Sequence, residues 1–421
     1  MICPPTRRQL FSYGQLALPL AIAGLPLYLH APAYYASHQG LSLGTLGILL
    51  LSIRAIDALQ DPLIGHFSDR YHAHRQILIA VGLLLLGSGI WLVFHPGDIH
   101  PAAWLAVSLL ISTTGYSIVS INLQSLGSLW IAPQTHRTRI HTWRESIGLI
   151  GVLLAAAAPT LLGNTDQPHQ AYHYYTLLSL PLLLVAGLIF RHWQRHTRQH
   201  QPATTVTTNY PWQMLQASRW HRRYYSLYFG NSLAGAIPAV LVLYYIQDRL
   251  QADSYSGYYL ALYFLSGALG MPVWQMLARR YGNLHSWQIS ILLAAVTFIG
   301  AYQLDAGDYL AYGLICLLSG LALGADLALP PAILAERIHQ QHQYADASRY
   351  YALLTLLNKS ALALAAGIAL PLLAQLGYQP GYTDPTTTQA LSIVYALLPS
   401  GLKLIIAGML WHHLTTQETT S

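Results

Sequence analysis

Long apolar stretches recur along almost the whole of this 421-residue chain, and they constrain its fold more than any other feature. An α-helix needs about 20 apolar residues to cross the ~30 Å hydrocarbon core of a bilayer. We predict such stretches at 10–33, 42–66, 76–95, 102–131, 143–163, 172–191, 224–247, 255–278, 286–304, 308–334, 349–375 and 388–412. The pattern predicts an all-α membrane protein with twelve transmembrane helices.

The composition favours a membrane protein over a soluble one. Hydrophobic residues make up 54% of the chain and charged residues only 9%, whereas about a quarter of the residues in soluble domains are charged. The net charge of +6 does not indicate a nucleic-acid partner, because the arginines cluster in short gaps between the apolar stretches. The expected surroundings are the lipid bilayer.

The arginines also predict the orientation. Sixteen of them lie in alternate gaps on one side, and the opposite gaps hold only Arg249. Loops rich in arginine and lysine stay in the cytoplasm. We therefore predict a multi-pass protein of the inner membrane with both termini in the cytoplasm.

A polar stretch from His192 to about Arg223 divides the chain into two halves. The segments that begin at Asp61 and at Met271 each follow the second apolar stretch of their half, and they align at an offset of 210 residues. We predict a six-helix bundle over 1–191, a cytoplasmic central loop over 192–223 and a second six-helix bundle over 224–421. Repeated halves with a site between them are typical of secondary transporters.

Three charged residues lie inside the second apolar stretch: Arg54, Asp57 and Asp61. Their spacing places them on one helix face. A charge at the bilayer centre costs roughly 2.5–3.5 kcal/mol, so such residues usually face a cavity. Two carboxylates one turn apart repel each other, which favours a bound cation or a shared proton. The alternative is a structural salt bridge between Arg54 and one of the acids.

Other charges inside the apolar stretches have a functional and a structural interpretation. Lys359 could serve the site or act as a counter-ion, and Arg144 and Glu145 could form an ordinary interfacial pair. Asp326 could line the transport path or cap a kink, while Lys403 can extend toward the cytoplasm and is expected to be structural. The twenty histidines have no metal-ligand spacing. We expect no metal site, no catalytic residues and no cofactor other than a coupling cation.

Several motifs resemble the glycoside–pentoside–hexuronide:cation symporters, a family of the major facilitator superfamily typified by the melibiose permease. The specific motif, R-x-x-D-x-x-x-D-P-x-x-G, runs from Arg54 to Gly65. Weaker matches in both halves are Ser12-Tyr13-Gly14, Tyr116-Ser117, Trp143-Arg144, Lys359 and Leu376-Gly377-Tyr378. The resemblance implies the major facilitator fold, with two pseudo-symmetric six-helix bundles.

The resemblance also implies a site. In the family, two acids of the second helix and a hydroxyl of the fourth helix bind the coupling Na⁺, Li⁺ or proton, with a lysine of the eleventh helix nearby. The matching residues are Asp57, Asp61, Ser117 and Lys359, with Gln60 where the family often has asparagine. Residues that match the sugar contacts in kind are Tyr28, Arg144 and Thr355.

The chain departs from the family where the sugar binds. The acid of the first helix falls on Ala21, the acid of the fourth helix falls on Ser120, and a nearby tryptophan falls on Gln124. Carboxylates that bind sugar hydroxyls supply much of the specificity of such a site, so we expect no melibiose-like substrate. Ser120, Asn122 and Gln124 can still offer hydrogen bonds to a small polar solute.

The leading hypothesis is a monomeric secondary transporter that couples a small polar solute to Na⁺ or H⁺ by alternating access. Proton-driven efflux, or transport of a lipid or other amphiphile, is the alternative, and the 29 tyrosines are compatible with it. A membrane-embedded enzyme or sensor would need a clustered nucleophile and base, a metal set or a soluble domain. The sequence contains no such motif, and it leaves the substrate, the ion and the direction open.

Overall fold

The computed structural model describes residues 4–97, 99–133, 136–162, 168–200, 218–379, 381 and 385–418. These residues fold into α-helices joined by short turns, and the only β-type pairing among them is the isolated bridge between Trp130 and Gln199. The helices are α1 (Arg7–Gly14), α2 (Ala17–His38), α3 (Leu43–Arg70), α4 (Arg75–Phe94), α5 (Pro101–Leu129), α6 (Arg137–Leu162), α7 (Pro168–His196), α8 (Arg219–Tyr244), α9 (Ser256–Tyr281), α10 (Asn283–Ala301), α11 (Tyr309–Gln340), α12 (Ala347–Gln375), α13 (Pro385–Ser392) and α14 (Leu398–Glu418). One π-helical turn, Tyr245–Arg249, extends α8, and another, Ile393–Leu397, joins α13 to α14.

Within the described residues, nine helical segments are long and apolar enough to cross a membrane. They are His72–Phe94, Pro101–Leu129, Tyr172–His196, Arg219–Arg249, Asp253–Tyr281, Asn283–Ala301, Tyr309–Gln340, Tyr344–Gln375 and Thr388–Trp411. The helices α2, α3 and α6 contain 22, 28 and 26 residues and occupy the first, second and fifth predicted stretches. A long helix therefore stands at every predicted stretch, and the predicted all-α membrane fold is confirmed.

The chain groups into two compact units. Unit 1 comprises Met1–Pro211 and Leu334–Leu356, and unit 2 comprises Trp212–Ile333 and Leu357–Ser421. The last part of α11 and the first part of α12 thus group with the first half of the chain. The predicted bundle boundaries at 191 and 224 stay a prediction.

Small residues let helices pack closely inside each unit. A Cβ atom on Gly115 of α5 would lie 2.4 Å from the backbone nitrogen of Leu86 on α4. In unit 2, a Cβ atom on Gly320 of α11 would lie 2.2 Å from the carbonyl oxygen of Tyr263 on α9. Helices in membranes associate by such close backbone approach, because burial of apolar surface alone gives little driving force in lipid.

A buried carboxylate ties the start of α12 to α3 and α4 within unit 1. Oδ1 of Asp69 accepts hydrogen bonds from Nη2 of Arg75 and from the backbone nitrogen of Ser348, both at 2.9 Å. Its Oδ2 accepts from the backbone nitrogen of Arg349, also at 2.9 Å. A carboxylate here satisfies N–H groups that the first turn of a helix leaves without partners. We call these four residues the Asp69 clasp, and the clasp explains why residues 334–356 group with unit 1.

Candidate cation site and buried charges

The helix α3 has an apolar exposed face and a polar buried face. Leu59 and Leu63 are 70% and 55% exposed, whereas Asp57 and Asp61 are only 2% and 0% exposed. The acids therefore lie on the face that packs inside the protein. An apolar surface with buried polar groups is the arrangement expected of a membrane-spanning helix that lines a functional site.

Asp57 lies in a chain of hydrogen bonds between α3 and α5. Its Oδ1 accepts from Nε2 of Gln60 at 3.0 Å and from Oγ of Ser117 at 3.3 Å. The Oε1 of Gln60 in turn accepts from Oγ1 of Thr114 at 2.9 Å. The structure thus brings together three predicted residues, Asp57, Gln60 and Ser117, and adds Thr114, which sequence reasoning missed. The sequence could have indicated Thr114 as a site residue, because it precedes Ser117 by three residues and therefore lies on the same face of α5.

Asp61 follows Asp57 by one helical turn and is fully buried. Two carboxylates and a serine hydroxyl on neighbouring helices are oxygen donors of the kind that hard cations take as ligands. The same two acids could instead share a proton, because like charges at close range favour protonation of one of them. The arrangement can therefore hold a small cation or a proton.

The predicted polar residues of α5 make short-range contacts within unit 1. Nδ2 of Asn122 donates to Oγ of Ser68 at 2.9 Å and to the carbonyl oxygen of Ile118 at 2.8 Å. Nε2 of Gln124 donates to Oγ of Ser120 at 3.4 Å. Asn122 is thus used to bind α5 to α3, and the substrate roles of all three residues stay predictions.

The contacts described for the other predicted residues of unit 1 are local: one ion pair between neighbours in sequence and one hydrogen bond within a helix. Arg144 forms an ion pair with its neighbour Glu145, and Oγ1 of Thr355 donates to the carbonyl oxygen of Tyr351 in its own helix. Arg54 is partly buried on α3. The side chain of Tyr28 lies outside the described residues.

A second buried charge group lies in unit 2, where sequence reasoning did not expect one. Nζ of Lys403 on α14 donates to Oδ2 of Asp326 on α11 at 3.1 Å and to Oδ1 of Asn231 on α8 at 2.8 Å. Oδ1 of Asp326 accepts from Nε1 of Trp287 on α10 at 3.0 Å. Four helices meet at this Asp326–Lys403 group.

The group corrects one expectation about Lys403. Its side chain was expected to extend toward the cytoplasm, but Lys403 is only 4% exposed. Its ammonium is held inside unit 2 because Asp326 and Asn231 supply acceptors there. Lys359 also belongs to unit 2 and is partly buried, so its predicted closeness to the acids of α3 stays a prediction.

Comparison with known proteins identifies relatives of parts of the chain. Two curated relatives come from Escherichia coli (strain K12). One, YagG, is described as a glycoside/cation symporter and is 24% identical over 184 residues, 41% of this chain and 40% of the relative. The other, described as the inner membrane symporter YicJ, is 22% identical over 270 residues, 62% of this chain and 58% of the relative. The matched parts span about half the length of these relatives.

Solved structures and a family match agree with the fold. The major facilitator superfamily transporter FucP, solved in its outward conformation, superimposes with a TM-score of 0.69 at 13% identity, covering 96% of this chain and 99% of FucP. At that identity the likeness concerns the fold alone, and it confirms the predicted major facilitator architecture. The family described as MFS/sugar transport protein matches residues 10–415. With the fold and the family in agreement, the chain is a member of the MFS/sugar transport family.

Proposed function

We propose that the protein is a secondary transporter that couples movement of a small polar solute to Na⁺ or H⁺ by alternating access. The observation that carries the proposal is the burial of Asp57 and Asp61 on one face of α3, with Ser117 of α5 donating to Asp57. The names of the relatives, a glycoside/cation symporter and an inner membrane symporter, support the same class of activity.

In this proposal the coupling cation neutralises the two acids. Neutralisation removes the repulsion between the carboxylates and lets α3 and α5 pack at the site. If the occupied cation site also orders the substrate cavity, each ligand raises the affinity for the other, because such coupling is reciprocal. Ser120 and Gln124 on α5 are the proposed hydrogen-bonding groups for the solute, together with Tyr28, Arg144 and Thr355.

The Asp69 clasp is a buried charge network within unit 1. The helix α12 passes from unit 1 into unit 2 at Leu357, and the clasp holds its first turn. We infer that the clasp keeps the first turn of α12 in place in the state that the structure represents. A two-state transporter needs a free-energy difference between its states, and a buried charge network that forms in only one state supplies such a difference.

The positive-inside distribution of arginine supports an inner-membrane location with both termini in the cytoplasm. The clasp and the central loop would then face the cytoplasm. A functional monomer is the proposed unit, because the acids, the hydroxyl of Ser117 and the amide of Gln60 all come from one chain.

The proposal is tested by transport in proteoliposomes that contain the purified full chain. A panel of small polar solutes is screened for accumulation driven by an imposed Na⁺ or H⁺ gradient, with amphiphilic compounds as the contrasting set. For any solute that is accumulated, we expect Asp57→Asn and Asp61→Asn to abolish gradient-driven accumulation.

The matched control is Asp253→Asn, which removes an exposed acid of unit 2. This control should transport like the wild type. Equal gradient-driven accumulation by the wild type and by both variants of α3 would eliminate the proposed cation site, and export of amphiphiles alone would overturn the symport proposal.

A further inference from the structure

An open cavity of about 590 Å³ lies between α1 and the last turns of α7, at the surface of unit 1. Its apolar wall is formed by Leu188 and Ile189, which are 57% and 37% exposed on the outer face of α7. Its polar wall is formed by the start of α1 and the end of α7. The full lining is Arg8, Gln9, Ser12, Leu188, Ile189, His192, Trp193, His196 and Thr197.

The polar wall carries several hydrogen-bond donors and one positive charge, Arg8. None of the nine described lining residues is acidic. The Oε1 of Gln9 already accepts from the backbone nitrogen of Thr6 at 3.0 Å, which leaves the amide NH₂ of Gln9 to donate. Arg8 adds five guanidinium N–H groups, which match the oxygens of a phosphate.

Trp193 gives independent support for a ligand with an acceptor. The side chain is 2% exposed and lines the cavity, yet its indole Nε1 is buried without a hydrogen-bond partner among the described residues. Buried indole N–H groups normally find an acceptor. Because Nε1 is closed off from the open part of the cavity, an anionic oxygen supplies this acceptor when it enters between α1 and α7 beside the indole.

We propose that this cavity binds the headgroup of an anionic phospholipid in the leaflet on the side of the amino terminus. The phosphate lies against Arg8 and the donors of the polar wall, while an acyl chain follows the exposed apolar surface of Leu188 and Ile189. Basic pockets between transmembrane helices are known to select such headgroups. The exposed apolar wall favours a lipid over a free phosphate, which has no apolar part to bury.

The inference is tested by native mass spectrometry of the detergent-purified full chain titrated with phosphatidylglycerol, phosphatidylethanolamine or inorganic phosphate. We expect phosphatidylglycerol to bind most tightly. Arg8→Gln should weaken its binding about tenfold, as expected for loss of a charge-assisted hydrogen bond. Trp193→Phe, which keeps a ring but removes the N–H, should weaken it about threefold.

Arg7→Gln is the matched control, since Arg7 is the exposed neighbour of Arg8 and does not line the cavity. It should change the affinity by less than about twofold. Equal losses of lipid affinity in Arg7→Gln and Arg8→Gln would show that the lipid is attracted by the general positive charge of the surface. That result would overturn the proposed site. If phosphatidylethanolamine bound as tightly as phosphatidylglycerol, the proposed selectivity for an anionic headgroup would be wrong. If inorganic phosphate bound as tightly as phosphatidylglycerol, the assignment of the ligand as a lipid would be wrong. Because the readout is binding, these results are independent of whether any solute is transported.

Discussion

The two charge groups inside the helical units differ in the hydrogen-bond donors that their acids accept from. In unit 2, Asp326 accepts from Lys403, whose ammonium also donates to Asn231. In unit 1, two acids follow each other by one turn of α3, and Asp57 accepts from a neutral amide and a neutral hydroxyl. The first group carries its own counter-ion and is suited to hold four helices together. The second places two carboxylates and a hydroxyl close together, and these are oxygen ligands of the kind that a cation takes.

The largest expected effect is on stability, in unit 2. Lys403→Ala should lower the free energy of unfolding by about 3 kcal/mol, because it leaves Asp326, whose side chain is only 20% exposed, charged and without its counter-ion. The double variant Lys403→Met with Asp326→Leu should recover most of that loss. The measurement is the unfolding midpoint in detergent, with Arg279→Ala, which removes an exposed arginine, as the control. A single variant as stable as the wild type would mean that the ion pair is not structural.

The next effect is on cation affinity, in unit 1. Asp57→Asn should weaken the apparent affinity for the coupling cation roughly 100-fold, or about 2.7 kcal/mol, because it removes a charged ligand. The same variant should change the unfolding free energy by less than about 1 kcal/mol, because an amide can keep the contacts with Gln60 and Ser117. Both are measured on one preparation, by equilibrium binding of the cation and by unfolding in detergent. A large loss of stability with unchanged affinity would reverse the roles assigned to the two groups.

The Asp69 clasp should respond like the structural group, but less strongly. Asp69→Asn should destabilise unit 1 by about 2 kcal/mol, since Arg75 loses its carboxylate while an amide oxygen can still accept from the first turn of α12. The check is hydrogen exchange of the backbone amides of Ser348 and Arg349, which should become faster. Unchanged exchange in the variant would show that Asp69 does not hold α12.

The smallest expected effect comes from Thr114, which is linked to Asp57 only through Gln60 in the described hydrogen bonds. Thr114→Val removes the hydroxyl that donates to Gln60, and it should weaken the apparent cation affinity only about threefold. Thr113→Val is the matched control, because the Thr113 hydroxyl donates within its own helix, to the carbonyl oxygen of Leu110 at 3.4 Å. Equal effects of the two substitutions would indicate that the hydrogen bond from Thr114 does not position Gln60.

The apolar stretches predicted the helices because membrane burial is encoded locally, residue by residue, in hydropathy. The motif around Asp57 also predicted residues that the structure brings together, since the i, i+3 and i, i+4 spacings of α3 fix which side chains share a face. Asp57, Gln60 and Ser117 could therefore be proposed as neighbours, although only the family resemblance linked α5 to α3.

Contacts between distant helices could not be predicted in this way. Local sequence predicts that Lys403 can extend toward the cytoplasm, because nothing near it in the sequence indicates that Asp326 and Asn231 lie beside it. Arg75 and Arg349 are two of the sixteen arginines that the sequence places in gaps between apolar stretches, yet they are only 4% and 0% exposed. Their burial depends on how the ends of α3, α4 and α12 pack, which hydropathy does not describe.

The central claim, that a cation or proton binds at Asp57, is tested most directly by infrared difference spectroscopy of the purified protein. Spectra are recorded while either the Na⁺ concentration or the pH is varied, so that both ions are covered by one measurement. We predict a carboxyl band that responds to one of these ions in the wild type and in Asp253→Asn, and that is missing in Asp57→Asn. An identical ion-dependent carboxyl band in Asp57→Asn would contradict the account.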